Sequence, residues 1–140
     1  MFGFEITKLF FDKKAVTSRT DKATRQVLSR FGAFVRRSAR SSIRPRKGIS
    51  APGSPPSSHT GLLKKFIFFG YDPRNRSVVI GPARLNQRGR GAAPSLLEYG
   101  GMTAAKGKRK RARYRPRPYM GPAFIKERIK MPALWRDSIK

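Results

Sequence analysis

The sequence predicts a small α+β domain in which a long N-terminal helix and a C-terminal helix pack on a small antiparallel sheet. Three observations predict it. An apolar stripe at helical spacing runs from residue 16 to 38, two β-prone runs flank a turn between residues 62 and 81, and residues 121–130 resume a helical pattern. The chain has 140 residues, of which 38% are hydrophobic. That length suits one domain with a modest core, so we predict a single domain over residues 1–140.

The long helix is predicted from Asp12 to Arg44. Aspartate commonly caps a helix, and Pro45 disfavours helical geometry at the residue before it. Apolar or small side chains recur every three or four residues, at Val16, Thr20, Ala23, Val27, Phe31, Phe34 and Ser38. A break near residues 18–21 is the alternative. Residues 2–7, FGFEIT, alternate apolar with polar or small residues and predict a short strand.

A loop and a β-hairpin are expected next. Residues 45–61 hold four prolines and three glycines, a density that predicts a long loop without a regular ladder of hydrogen bonds. Residues 62–81 predict the hairpin, with its turn at DPRNRS. Its first strand contains the run FIFF, residues 66–69, which we expect to be largely covered on both faces. Residues 84–94 predict a polar loop.

The rest of the chain alternates short apolar and basic stretches. Residues 95–101, SLLEYGG, predict either a strand or a helical turn, and residues 101–113 predict a long loop. From residue 111 to 118 basic and other residues alternate, which indicates an edge strand with its arginines on one face. We expect Pro122 at the first position of the C-terminal helix and a further helical turn from Pro132.

The charge of the chain is its most unusual property. Thirty-three basic residues face seven acidic ones, a formal net charge of +26. Such a chain repels itself unless something anionic lies nearby, which suggests nucleic acid, an anionic membrane or acidic neighbouring subunits. No apolar stretch reaches the roughly 18 to 20 residues of a membrane span, and the N-terminus lacks the pattern of a signal peptide, so we expect no membrane partner.

Catalytic chemistry is not predicted. The one histidine, His59, lies beside serines in the loop, but no third group to orient it is evident, and a structural role or none is favoured. One histidine, no cysteine and seven scattered acids make a metal site improbable. The stretch RGRGAA lacks the Lys-Ser/Thr of a phosphate-binding loop. We therefore expect a protein that is not an enzyme, with no catalytic residue, cofactor or metal.

Two charged features are candidates for function. Glu98 lies in a very basic chain, and we expect its carboxylate to pair with an arginine, either within the chain or across a subunit interface. A basic run near the C-terminus is expected to contact DNA or an acidic partner, and Tyr114 and Tyr119 could stack on bases. The run comprises Lys106, Lys108, Arg109, Lys110, Arg111, Arg113, Arg115 and Arg117. The alternative is that the run is a solvated, flexible loop.

The order of five motifs resembles a known family. The motifs are FVRRSARSSIRPR at the end of the helix, then HTGLLKKFIFF, SVVIGP, LLEYGG and RPRPYMGPAF. In this order they resemble the small tail-component or neck proteins of long-tailed bacteriophages, which complete the tail at the head–tail junction and are related to phage virion-morphogenesis proteins. The resemblance covers nearly the whole chain, although each motif is short. The arginines before Pro118 are denser than the family pattern requires.

The resemblance implies a structural virion component, assembled in the host cytoplasm. It implies a hexameric ring of identical subunits that joins the head-closure or connector protein to the tail terminator or tail tube. It also implies a non-specific contact with packaged DNA. Candidate residues for the subunit interface are Glu98, Tyr99, Arg36, Arg37, Arg40 and Tyr119. The alternative function is nucleic-acid binding, as in a ribosomal or nucleoid protein. We expect such binding to be independent of sequence, because the chain has no helix-turn-helix, zinc finger or aromatic RNA-binding signature.

Overall fold

The computed structural model describes residues 12–83, 93–104 and 111–138 of the chain. It confirms the mixed α+β class. Five helices lie in these residues: α1 (Lys13–Ser42), α2 (Leu62–Lys65), α3 (Ala93–Tyr99), α4 (Met120–Arg128) and α5 (Met131–Arg136). The strands are β1 (Arg44–Pro45), β2 (Ser57–Ser58), β3 (Ile67–Asp72), β4 (Ser77–Pro82), β5 (Gly101–Ala104) and β6 (Arg111–Tyr114). The strand predicted over residues 2–7 lies outside the described residues, as does most of the loop predicted over residues 84–94.

The strands form three separate pairs rather than one sheet. β3 with β4 and β5 with β6 are antiparallel, whereas β1 and β2 are joined in parallel. Two expectations are therefore wrong. The proline-rich loop does contain a short ladder, because Arg44 and Pro45 pair with Ser57 and Ser58 across it. The loop predicted over residues 101–113 contains β5 and the start of β6.

Helix α1 begins where the sequence predicts. The carboxylate of Asp12 accepts a hydrogen bond of 2.9 Å from the N–H of Ala15, which satisfies one of the donors left free at a helix start. The helix ends at Ser42, and Ile43 is already extended, two residues before the proline. Only the later part of the predicted stripe is buried, including Val27 and Phe31. The first two turns are exposed and extend beyond the core.

The hairpin of β3 and β4 packs directly on α1 at Gly32. A Cβ atom at that position would lie 2.8 Å from side-chain atoms of both Phe69 and Val78, so only a glycine lets the helix and the hairpin approach this closely. In the turn, Asp72 accepts a bond of 2.9 Å from the N–H of Arg74. Arg76 then adopts a left-handed conformation, with φ of 48°. The turn thus forms where the sequence predicts it.

Two details of the hairpin differ from the prediction. Its first strand begins at Ile67, because Leu62–Lys65 form the helical turn α2, in which Leu63 packs against the core. The expectation that both faces of the FIFF run are covered is wrong, since Phe68 is 48% exposed. The physical reason is that α1 covers one face of the two-stranded hairpin, and the described residues leave the other face open.

The core lies between α1, the hairpin and α4. From α1 and its end it takes Phe31, Val35, Ala39 and Ile43, from β3 it takes Ile67, and from the region of α4 it takes Tyr119 and Ala123. Complete burial of a large apolar side chain stabilises a fold by roughly 1.5 to 3 kcal/mol. Three distant parts of the sequence therefore depend on one another through a small set of side chains.

The C-terminal helices begin slightly earlier than predicted. α4 starts at Met120, so Pro122 is its third residue rather than its first, and α5 starts at Met131 with Pro132 in second place. Proline is tolerated throughout the first turn, where its missing N–H has no helical partner. What fixes the start of α4 is a carboxylate from another part of the chain.

Candidate functional site

The junction of α3 and α4 is organised by Glu98. One oxygen of its carboxylate accepts hydrogen bonds from the N–H groups of Tyr119 and Met120, at 2.9 and 3.0 Å, and the other accepts from Gly121 at 2.7 Å. These donors belong to the first turn of α4, where N–H groups have no partner inside the helix. The partial positive charge of a helix N-terminus also favours an anion. Glu98 therefore caps a helix that begins more than 20 residues later in the chain.

The partner predicted for Glu98 is therefore wrong. We expected an arginine, within the chain or across an interface, and the carboxylate instead binds backbone groups of its own chain. The physical reason is that three N–H donors at a helix N-terminus satisfy both carboxylate oxygens at once. The contacts give Glu98 a role inside the fold, and its place at a subunit interface stays a prediction.

Glycines bring the two segments close together. Gly100 has a φ of 71°, and a Cβ atom there would lie 2.9 Å from the carbonyl oxygen of Tyr114 and 3.1 Å from the nitrogen of Pro116. A Cβ atom on Gly121 would lie 3.1 Å from Oε1 of Glu98. Close packing of backbone against backbone explains the glycine after Glu98-Tyr99, and the glycine after Met120 leaves room for the carboxylate of Glu98.

The segment from residue 115 to 118 connects three parts of the fold. The N–H of Arg117 donates to the carbonyl oxygen of Leu97 in α3, and its Nε donates to the carbonyl oxygen of Ser50 at 2.9 Å. The N–H of Gly53 donates to the carbonyl oxygen of Pro116 at 2.9 Å. Arg117, expected to contact DNA or an acidic partner, thus holds the proline-rich loop against the junction.

Tyr119 is part of the core. It is 1% exposed, so the expectation that it lies at a subunit interface or stacks on bases is wrong. Burial, together with the negative charge of Glu98, raises the pKa of the Tyr119 hydroxyl to about 12. The side chain is therefore neutral at physiological pH. Its burial follows from the cap, because fixing the N–H of Tyr119 on Glu98 places the residue at the start of α4, beside α1.

Tyr99 differs from Tyr119. It ends α3 and is 82% exposed, the highest value among the large hydrophobic residues that the structure describes. Tyr99 directly follows Glu98, so its exposed side chain lies on the surface of the junction. Its predicted place at an interface between subunits stays a prediction.

The arginines near the end of α1 have different surroundings. Arg36 donates from Nε to the carbonyl oxygen of Ile67 at 2.7 Å, and its guanidinium lies 5.8 Å from the ring centre of Phe68. It therefore attaches the hairpin to the helix. Arg37 is exposed and Arg40 is half-exposed. Of the three predicted interface residues, Arg36 therefore makes a contact within the chain, whereas Arg37 and Arg40 are surface cations.

The basic run is described only in part. Lys106, Lys108, Arg109 and Lys110 lie outside the described residues. Arg111, Arg113 and Arg115 are exposed. In the β5–β6 pair, Arg111 lies opposite Ala104 and Arg113 opposite Met102, so the two arginines share one face, as the alternating sequence predicts. Tyr114 alternates to the other face and is 43% exposed.

Glu127 was missed as a structural residue by the sequence interpretation. It is 3% exposed, and its carboxylate accepts a hydrogen bond from the hydroxyl of Ser38 on α1 and forms an ion pair of 2.5 Å with Lys130. Lys130 and Ser38 hold the pKa of the Glu127 carboxyl below its usual value. The available signal was an acid three residues before a lysine in a basic helical segment.

The described residues show no arrangement typical of a catalytic or metal centre. Within residues 12–83, 93–104 and 111–138, no three histidine, aspartate or glutamate side chains are grouped to hold a metal ion. His59 is exposed in the loop after β2. Of the helices in these same ranges, none has the length and apolar character needed to cross a bilayer.

Comparisons with known proteins give no match. No family model, no curated protein and no solved structure is similar to this chain.

Proposed function

We propose that this protein is a structural virion component of the head–tail connection of a long-tailed bacteriophage. In this role it is one subunit of a ring of six copies between the head-closure or connector protein and the tail terminator or tail tube. It has no catalytic step. Its contribution is a rigid shape and a surface that neighbouring proteins recognise.

The observation that carries the proposal is the contact between two separated motifs. The stretches LLEYGG and RPRPYMGPAF are two of the five motifs of the resemblance, and in the folded chain they meet through the three hydrogen bonds of Glu98. Gly100 and Gly121 lie at close approaches of the same junction. Each of the two motifs supplies residues that the other motif contacts at this junction. This mutual dependence supports a common fold with the neck proteins.

The excess of positive charge also supports the proposal. Within the described ranges the acids form three ion pairs, Arg76–Asp21, Lys130–Glu127 and Arg136–Asp137, so most of the cations there have no acidic partner among the described residues. A particle that surrounds the protein with acidic subunits and DNA supplies the missing negative charge. Tyr99, Arg37 and Arg40 remain the candidates for contacts between subunits.

The test is assembly. The purified full-length chain is analysed by size exclusion with light scattering in high salt, where non-specific binding to nucleic acid is weak. We expect a closed ring, and we expect peptides of this chain in purified phage particles by mass spectrometry. A protein that stays monomeric at high concentration and is missing from purified particles contradicts the proposal.

A second candidate, sequence-independent nucleic-acid binding by a free protein, is favoured by one observation. Arg111 and Arg113 project from one face of an antiparallel β-ribbon, a shape that fits the major groove of a duplex. The two candidates differ in the same experiment. A monomer that binds DNA with a steep dependence on salt supports the second, and a stable ring with weak affinity for DNA supports the first.

A further inference from the structure

Helix α1 carries a line of cations on the side opposite the core. At 3.6 residues per turn, five basic residues lie within about 50° of the direction opposite the buried stripe; these are Arg19, Lys22, Arg30, Arg37 and Arg40. All are exposed, apart from the half-exposed Arg40. We call these five residues the outer stripe. It extends over about 31 Å of the helix axis, at about 1.5 Å per residue.

The outer stripe has no acidic neighbour on its own helix. Asp21 is the single acid between Lys13 and Ser42, and its carboxylate lies 3.2 Å from a guanidinium nitrogen of Arg76 in the hairpin turn. The opposite side of α1 contacts β3, β4, α4 and α5, and those contacts leave the outer stripe exposed. Its charge is therefore directed toward solvent or a partner.

The composition of the stripe favours a polyanion over a protein. Specific protein interfaces place aromatic or large apolar side chains at their centre. Between the five cations, the outer side of α1 presents Gln26 and Ala33, and the exposed large apolar residue of this helix, Val16, lies to one side and near its start. A surface of cations with small and polar residues between them matches phosphates, which are held mainly by charge.

The geometry favours a duplex over a single strand. Proteins that hold single strands combine cations with aromatic side chains on which bases stack, and the described outer side of α1 has no aromatic residue. A regular helix sets its cations along a line of fixed spacing. A duplex presents about one negative charge per 1.7 Å of its axis, so a length of about 31 Å offers far more phosphates than the five cations need.

We propose that the outer stripe of α1 binds the phosphate backbone of a nucleic-acid duplex without reading its sequence. The inference deepens the second candidate function and rests on it for duplex binding itself, but it does not depend on ring formation. It also moves the principal contact from the basic run of residues 106–117 to a helix that the sequence had assigned to subunit contacts.

The experiment measures binding of the full-length chain to a short labelled DNA duplex by fluorescence anisotropy over a series of salt concentrations. The variant Lys22→Gln, Arg30→Gln, Arg37→Gln, Arg40→Gln removes four charges from the stripe. We expect the slope of log K against log salt to fall by about 3 to 4, and the affinity at about 0.1 M salt to fall roughly 100-fold or more.

A matched control removes the same charge elsewhere. The variant Arg46→Gln, Lys47→Gln, Lys126→Gln, Arg128→Gln neutralises four exposed cations in the loop after α1 and on α4. We expect it to keep most of the affinity. An equal loss in the two variants overturns the inference, because net charge alone then accounts for binding. Circular dichroism checks that both variants are folded. If the stripe variant is unfolded, a triple variant that retains the half-exposed Arg40 replaces it.

Further measurements separate the remaining explanations. Arg30→Lys, Arg37→Lys, Arg40→Lys keeps the charge, and we expect it to bind almost as the natural chain does. Loss of affinity in Arg111→Gln, Arg113→Gln, but not in the stripe variant, overturns the inference and leaves duplex binding to the β-ribbon.

Competition identifies the polyanion. DNA and RNA duplexes are compared as sources of the phosphate backbone, and preference for either supports the inference. Stronger binding to a single strand or to polyglutamate overturns it. Absence of any duplex binding by the unmodified chain removes both this inference and the second candidate function, but not the neck proposal.

Discussion

The junction of α3 and α4 and the outer side of α1 use charge in opposite ways. At the junction, one carboxylate satisfies three N–H groups, and Arg117 is bound to a carbonyl oxygen of the proline-rich loop. On the outer side of α1, five cations have no acidic partner on the helix, whose single acid is bound to the hairpin turn. Charges with partners inside the chain stabilise the fold, whereas charges without such partners are available to bind another molecule.

The largest expected effect is at Glu98. Replacing Glu98 by Ala leaves three N–H groups at the start of α4 without their acceptor and releases the position of Tyr119. We expect the free energy of unfolding to fall by about 3 kcal/mol, because hydrogen bonds to a charged group are worth about 1.5 to 3 kcal/mol. Urea denaturation followed by circular dichroism measures it.

The control for Glu98 is the amide. Glu98→Gln keeps one acceptor oxygen, and we expect it to lose about half as much stability as the alanine variant. Unchanged stability in Glu98→Ala would show that water replaces the carboxylate at no cost. The claim that Glu98 stabilises the junction would then be wrong.

A smaller effect is expected at Glu127. Glu127→Ala removes the acceptor of the Ser38 hydroxyl and the partner of Lys130 at a buried position, and we expect a loss of about 2 kcal/mol. The matched variant Glu127→Gln retains the hydrogen bond with Ser38 and loses only the ion pair, so it should be the milder of the two.

Glu127 also makes stability depend on pH. Its pKa is lower in the folded chain than in the unfolded chain, because Lys130 and Ser38 favour the ionised form. Its contribution is therefore complete above the unfolded pKa and is lost as the pH falls toward and through the folded pKa. Thermal unfolding measured from neutral to acidic pH should show a shallower decline for Glu127→Gln than for the natural chain. Parallel curves would contradict this assignment.

The smallest effect compares two adjacent arginines. Arg36→Ala removes the hydrogen bond to Ile67 and the contact with the Phe68 ring, and we expect a loss of about 1 kcal/mol. Arg37→Ala, on the exposed side of the same helix, should change stability by less than about 0.5 kcal/mol. Equal losses of stability in the two variants would show that Arg37 also stabilises the fold, which contradicts its assignment to the outer stripe.

The sequence predicted the parts of the fold that depend on neighbouring residues. Asp12 caps α1 because its side chain reaches an N–H three residues away, and the alternation of residues 111 to 114 puts Arg111 and Arg113 on one face of a strand. These arrangements follow from helical and extended geometry alone. For Glu98 the sequence correctly predicted that a half-buried carboxylate needs a partner, but it predicted an arginine. A pattern of side chains does not show which backbone N–H groups are free to bind it.

Local sequence patterns were enough to predict the α+β class, the start of α1 and the position of the hairpin turn, and the composition sets the large positive charge. The tertiary structure decided that Glu98 caps α4, that Tyr119 and Glu127 are buried, and that Arg36 faces inward while Arg37 faces outward. The physical reason is distance along the chain. Caps, turns and periodic faces involve residues within a few positions, whereas burial and long-range hydrogen bonds depend on which distant segments pack together.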